Sequence, residues 1–140
     1  MRKVTSRAHL PIRIVIADDQ AAFREGLHVA LHATDAEIDI VGEASTGEEA
    51  LTLVQELRPD VVVLDVRMPG SGGISAARAI AAAVPRTRIL MLTVSDDASD
   101  VAKATGAGAA GYLLKYHALE DIADAVVALS EGRSVPAETG

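Results

Sequence analysis

Two stretches of this chain, Val61–Leu64 and Ile89–Leu92, are apolar at every position. A strand with one wet face alternates apolar and polar residues, whereas a strand without alternation must be covered on both faces. The segments around these runs can supply that cover. Phe23, Leu27, Ala30 and Leu31 fall on one helical face, because residues three and four apart are neighbours on a helix. Ala50, Leu53, Val54 and Leu57 make a second stripe, with Thr46 and Glu49 spaced as a capping box before it and Pro59 after it. Ile74, Ala77, Ile80, Ala81 and Val84 make a third, stopped by Pro85. Leu119, Ile122, Ala123, Val126 and Leu129 make the last, with Glu120 and Asp121 expected near its positive end and Gly132 as its stop.

Three more strands complete the pattern. Ile12–Ala17 is one. Ile38–Ala44 is another, with Ile38, Ile40 and Gly42 alternating against Asp39, Val41 and Glu43, and Tyr112–Leu114 is the last and shortest. Between Ile89–Leu92 and Tyr112–Leu114 there is only a weak helix of small residues, Asp100–Thr105. Strand and helix thus alternate five times, which implies a parallel sheet with helices on both faces and right-handed crossovers. Residues 1–11 read as a tail, 12–131 as one domain and 132–140 as the start of a linker.

Composition removes several functions. There is no cysteine, so no disulfide, thiolate zinc site or cysteine nucleophile is available. Thirteen basic residues against twenty acidic ones leave a net charge of −7, which disfavours phosphate backbones. The aromatic residues are Phe23, Tyr112 and Tyr116, too few for a base-stacking platform. No apolar run approaches the ~18 residues of a membrane span, so no membrane partner is expected. Arg2, Lys3 and Arg7 resemble the start of a secretory signal, but the apolar stretch that follows is short and contains Arg13. A cytoplasmic location is expected.

Open α/β sheets bind ligands at the carboxyl ends of their strands. Asp18 and Asp19 follow the first run, Asp65 the third, Thr93 the fourth and Lys115 the fifth. Taken alone, an aspartate at a strand end is most often a cap or turn residue, and a lone lysine a solvated charge. Together on one edge they need another explanation. Two carboxylates ~4 Å apart repel by about 4 kcal/mol at an effective dielectric of ~20. A fold gathers three only with a cation, and an all-oxygen donor set suits a hard ion such as Mg²⁺. A metal beside a carboxylate and a lysine suggests phosphoryl transfer, with one aspartate as nucleophile. These patterns leave open which aspartate it is.

The residues also resemble a known family, the response-regulator receiver domains of two-component signalling, from about Ile12 to Gly132. The resemblance rests on Asp18-Asp19, on Asp65-Val66-Arg67-Met68-Pro69-Gly70, on Thr93, and on Gly111-Tyr112-Leu113-Leu114-Lys115. Arg24-Glu25-Gly26-Leu27 and Val41-Gly42-Glu43-Ala44 are similar to the NarL/FixJ subfamily, whose members usually carry a LuxR-type DNA-binding domain after a linker. The resemblance implies a flavodoxin-like (βα)5 doubly wound sheet in the order 2-1-3-4-5. It implies that Asp65 is the phosphoacceptor and that Asp19 and, partly through water, Asp18 hold Mg²⁺ together with Asp65 and the Arg67 carbonyl. Lys115 would pair with the phosphoryl oxygens, Thr93 would be the switch hydroxyl, and Tyr112 the aromatic that moves with it. The implied partner is a sensor histidine kinase, with an isologous homodimer as the default on symmetry grounds and DNA contacted only through a further domain.

The implied chemistry is phosphorylation and dephosphorylation of Asp65 itself, not turnover of another substrate. The alternative is a degenerate receiver that serves as a phosphorylation-independent interaction module. An aspartate-nucleophile phosphohydrolase fits poorly, since Arg67 and Gln20 stand where a second aspartate is expected. A dinucleotide site lacks its glycine-rich turn after the first strand. Three departures from the family pattern stand out. Gln20 follows the acidic pair, where a tuning role is expected. Ser71-Gly72-Gly73 is expected to be mobile. The fourth helix should be short and poorly anchored, with Val101 its one sizeable apolar side chain. Arg67 and Ser95 are the positions whose side chains influence acyl-phosphate hydrolysis in the family. His28 and His32 have the i, i+4 spacing of a zinc pair but no evident further ligand, so they read as surface residues.

Overall fold

The computed structural model describes residues 10–94 and 97–135. Five parallel strands alternate with five helices: β1 (Ile12–Ala17), α1 (Ala21–His32), β2 (Ile38–Ala44), α2 (Gly47–Leu57), β3 (Val61–Asp65), α3 (Gly72–Ala83), β4 (Arg88–Thr93), α4 (Ala98–Gly106), β5 (Gly111–Leu114) and α5 (Lys115–Ser130). The sheet order is β2-β1-β3-β4-β5, all neighbours parallel. The apolar run in β3 divides its side chains between two cores. Val62 and Leu64 pack beneath α2, α3 and α4, and Val61 and Val63 beneath α1 and α5. Ile89 and Met91 of β4 join the first core, Leu90 and Leu92 the second. Among the described residues, no helix is long and apolar enough to cross a membrane.

The alternation expected in β2 is broken by a bulge. Ile14 pairs with Ile40 but Val15 with Gly42, which leaves Val41 as the extra residue. An inserted residue flips every side chain beyond it to the other face. Ile38 therefore lies in the α1/α5 core and Ala44 in the α2/α3 core, although their spacing alone puts them on one face. Gly42 turns toward α2, where a Cβ would stand 3.2 Å from Leu57 Cδ1.

The helix ends also depart in part from their sequence signals. Thr46 Oγ1 accepts from the Glu49 amide at 3.1 Å, one half of the capping box. The reciprocal half goes to Ser45, whose amide and hydroxyl donate to Glu49 Oε1 at 2.9 and 2.8 Å and hold that carboxyl below the usual range. Before Pro59, Arg58 takes a left-handed conformation (φ 46). The last carbonyls of α2, those of Leu57 and Arg58, accept from Arg13 Nη1 at 2.8 and 3.2 Å. Helix α5 starts at Lys115 with no intervening loop, so Glu120 and Asp121 fall in its second turn and its first turn holds no acid. This corrects the expected placement of those two charges.

The Ser71-Gly72-Gly73 segment is built in rather than loose. A Cβ on Gly73 would lie 2.0 Å from the Asp65 carbonyl oxygen, and the Gly73 amide donates to Val66 O at 2.9 Å. Only glycine lets α3 approach the end of β3 this closely. Ser71 Oγ donates to Glu48 Oε2 at 3.1 Å, which ties the same segment to α2. Helix α4 answers the expectation of weak anchoring. Ala104 is its one buried side chain, with Val101 partly buried, and Asp97 caps it by accepting from the Ser99 amide at 2.8 Å.

Two glycine substitutions should therefore act in opposite directions. Gly73→Ala should destabilise by about 3 kcal/mol or more in urea unfolding, because backbone must move to admit the methyl group. Gly106→Ala has open space and no positive φ, so it should stabilise by about 1 kcal/mol. In hydrogen exchange of the wild type, α4 amides should exchange faster than α3 amides, and equal protection would show α4 to be firmly anchored.

Candidate functional site

The carboxyl edge of the sheet collects the predicted residues. Asp18 and Asp19 follow β1, Asp65 ends β3, Thr93 ends β4, and Lys115 opens α5 directly after β5. Because β3 lies between β1 and β4, Asp65 stands between the acidic pair and Thr93. Thr93 is opposite Leu114 in the ladder, next to the residue that leads into Lys115. Asp18, Asp65 and Thr93 are buried, and Asp19 is exposed.

Lys115 joins these elements. Its Nζ lies 2.8 Å from Asp18 Oδ2 and 3.1 Å from Asp65 Oδ2, and it donates to Gln20 Oε1 at 2.8 Å. It also sits 4.6 Å from the centre of the Phe23 ring, a cation–π distance. The positive end of a helix is a poor place for a lysine, and the two carboxylates offset that. Burial alone lowers the Lys115 pKa, but Asp18 and Asp65 outweigh it and leave the ammonium favoured.

The carboxylates are partly satisfied. Asp18 Oδ1 accepts from the Gln20 amide at 2.8 Å, and Asp65 Oδ1 from the Arg67 amide at 3.1 Å. Asp18 Oδ2 is buried with no well-formed hydrogen bond. It meets Lys115 Nζ as an ion pair at 2.8 Å. Burial pushes the Asp65 pKa up. The Asp18 charge adds to the rise, while the Arg67 amide and Lys115 oppose it.

One lysine faces three carboxylates whose oxygens lie within 4.8 Å of one another. That excess of negative charge, the oxygen-only donor set and the buried Asp18 Oδ2 without a proper donor form an acidic pocket typical of divalent metal binding. Among the described residues, Asp18, Asp19 and Asp65 form the metal-competent group, and His28 and His32 are not part of one. His28 Nε2 instead pairs with Glu43 Oε2 at 2.7 Å, and Arg24 Nε reaches Glu43 Oε1 at 3.1 Å. The Arg67 side chain points to solvent, Tyr112 is buried, and Ser95 lies outside the described residues.

Gln20 and Phe23 hold Lys115, and Arg24 donates to the Asp18 carbonyl. Sequence reading placed Gln20 in a tuning role and Phe23 in the helix core. The Gln20–Lys115 contact spans ninety-five positions, so no local pattern signals it.

Residues 14–127 match the family model of the response regulator receiver domain. The chain belongs to the response-regulator receiver family. The receiver is 40% identical over 124 residues to the transcriptional regulatory protein LnrK of Bacillus subtilis, covering 89% of this chain and 56% of that protein. It is 40% identical over 126 residues to the probable transcriptional regulatory protein NarL of Mycobacterium tuberculosis, covering 90% and 58%. The solved receiver domain of that NarL superposes with a TM-score of 0.83 at 39% identity, over 88% of this chain and 98% of that one. Its flavodoxin-like fold is the one described above. The receiver spans little more than half the length of these two regulators.

The raised Asp65 pKa fixes the sign of a pH effect. A carboxyl whose folded pKa lies above its unfolded value destabilises the fold once both states are ionised, and the penalty fades as pH falls through the folded pKa. In metal-free buffer at neutral pH, Asp65→Asn should therefore melt a few degrees above the wild type, and the gap should narrow on acidification. A divalent cation at ten times its dissociation constant should stabilise the wild type by about 1.4 kcal/mol, and Asp65→Asn should lose most of that increment. Thermal denaturation with and without Mg²⁺ checks both.

Proposed function

We propose that this receiver is a phosphorylation-dependent signalling switch with Asp65 as its phosphoacceptor. The observation that carries the reading is the position of Asp65, buried at the centre of the edge between the acidic pair and the Thr93–Lys115 side. Asp18, Asp19, Asp65 and the backbone carbonyl of Arg67 are the groups that would hold Mg²⁺. When bound, the ion supplies positive charge to the oxygens of the transferring phosphoryl group.

The donor in this reading is a phosphohistidine on a sensor kinase. An Asp65 carboxylate oxygen attacks phosphorus, the P–N bond breaks as the P–O bond forms, and the imidazole, protonated beforehand on its other ring nitrogen, takes the electron pair and leaves neutral. Lys115, already on Asp65 Oδ2, moves its charge onto the phosphoryl oxygens. Its place is kept by Gln20 and Phe23, which do not react. Thr93 then offers its hydroxyl to the same oxygens, and Tyr112 on the neighbouring strand repacks. Phosphorylation adds charge and acceptor oxygens at one point, and the α4-β5-α5 face answers because α4 is thinly anchored. Hydrolysis of the acyl phosphate resets the switch, so the chemistry is confined to Asp65 itself.

The relatives are transcriptional regulators by name. We therefore assign this receiver to the control of a DNA-binding output domain in the cytoplasm, with an isologous homodimer as the default assembly on symmetry grounds. The chain's own charge, −7, fits a regulatory module better than a DNA-contacting one.

The test is intact mass after incubation with acetyl phosphate and Mg²⁺. One labile phosphoryl group is expected on the wild type and none on Asp65→Asn or after chelation of the metal. Phosphorylation of Asp65→Asn would move the acceptor elsewhere. Failure of both acetyl phosphate and beryllofluoride to modify a folded, Mg²⁺-binding wild type would leave a phosphorylation-independent interaction module.

A further inference from the structure

The chain does not leave the domain when α5 ends. Gly132 (φ +85) donates to Leu129 O at 3.0 Å and Arg133 to Ala128 O at 2.9 Å, a C-terminal cap that reverses the chain direction. The next residues run along the open edge of β5. Val135 pairs in parallel with Gly111. Its amide donates to Ala110 O at 3.0 Å, and its carbonyl accepts from the Tyr112 amide at 3.0 Å.

Gly111 makes the contact possible. A Cβ there would lie 2.9 Å from Leu90 Cδ1 and 3.1 Å from Val135 Cβ. The absence of a side chain lets Val135 seat against the same apolar core that holds Leu90 and Leu129. Arg88 Nη2 adds a long contact to the Arg133 carbonyl at 3.5 Å. Residues that read as the start of a linker thus close the sheet edge, and one of their two ladder bonds comes from the backbone of Tyr112.

We propose that residues 134–135 are a strap docked on the β5 edge, held in the resting receiver and released when Tyr112 moves. The inference rests on the proposed function, which supplies the motion of Tyr112. Tyr112 carries both a ring packed in the core beneath α4 and the amide that holds the Val135 carbonyl, so repacking of that core reaches the bridge wherever it shifts the Tyr112 backbone. The bridge is held by two hydrogen bonds, the partly buried Val135 side chain and the long Arg88 contact, a small set of contacts to resist such a shift. Release frees this segment from the sheet and uncovers the Gly111–Tyr112 edge.

The experiment is site-resolved hydrogen exchange on the 140-residue chain by NMR, with and without Mg²⁺ and beryllofluoride. In the resting state, the Tyr112 and Val135 amides should both be protected, and on beryllofluoride binding both should exchange about tenfold faster or more. Val135→Pro removes one donor and cannot pair in this register. In that variant the Tyr112 amide should exchange fast from the outset, with beryllofluoride binding unchanged. Unprotected amides in the resting wild type, or protection unchanged in a receiver shown to bind beryllofluoride, would overturn the strap. A Tyr112 amide that stays protected in Val135→Pro would also overturn it, since another acceptor would then hold that amide. If beryllofluoride does not bind at all, the proposed function and the release fall together, while the resting-state amides still decide whether the strap is docked.

Discussion

Three carboxylates share one sheet edge with a single lysine, and much else in the structure follows from that imbalance. Asp18 and Asp65 are out of water and close enough to repel. Lys115 bridges them but cannot neutralise both along with Asp19. Burial raises the pKa of Asp65 and the Asp18 charge adds to that rise, against the Arg67 amide and Lys115, and the surplus of negative charge makes a cation at this edge favourable. It also explains why the lysine is so closely held. A long, flexible side chain loses much rotamer freedom on ordering, and Gln20 Oε1 and the Phe23 ring restrict it from the α1 side. The ammonium is in place before any phosphoryl group arrives, which is the kind of pre-organisation that electrostatic stabilisation needs.

The scaffold around this edge is firm on one side and soft on the other. Strand β3 is buried at every position and packed from both faces. The start of α3 touches the backbone of Asp65 through Gly73, and Glu48 of α2 binds Ser71 in the connecting segment. Gly47 lets α2 come close to the start of α3, since a Cβ there would stand 3.0 Å from Gly72 O. The acid-bearing half thus has little freedom to shift. Beyond β4 the packing thins: α4 buries only Ala104, and β5 is four residues long. Local opening concentrates where apolar contacts are few. A perturbation at Asp65 therefore spends itself on the α4–β5 side.

Both sheet edges are managed by local irregularity. At β2, a bulge at Val41 changes which core the rest of the strand serves. At β5, the chain following α5 pairs with Gly111. Each device limits an exposed ladder of unpaired backbone groups, the usual liability of an edge strand. The β5 device differs in that its hydrogen bond comes from Tyr112, a residue of the core that α4 covers.

Much of this was legible in the sequence because it depends on period and order. The two non-alternating apolar runs can only be central strands, and the βα alternation then dictates a parallel sheet. The Asp18-Asp19 pair, Asp65, Thr93 and Lys115 each come directly after an apolar run, and parallel strands all end on the same side, so their meeting is readable from chain order alone. What the sequence did not determine were contacts made at a distance and at atomic range. The Gln20–Lys115 bond joins residues ninety-five apart. The bulge at Val41 arises from how β2 registers on β1, which alternation alone misreads. Gly73 looked like a flexible loop residue, yet the 2.0 Å approach to the Asp65 carbonyl makes it a packing residue. Glycine's spelling is the same in both cases, and only the neighbouring backbone distinguishes them. Val135 looked like linker because a two-bond bridge leaves no periodic trace. Hydrophobic period and chain order act over whole elements and are written along the chain, whereas register, close approach and pairing across the fold exist only once distant segments have come together.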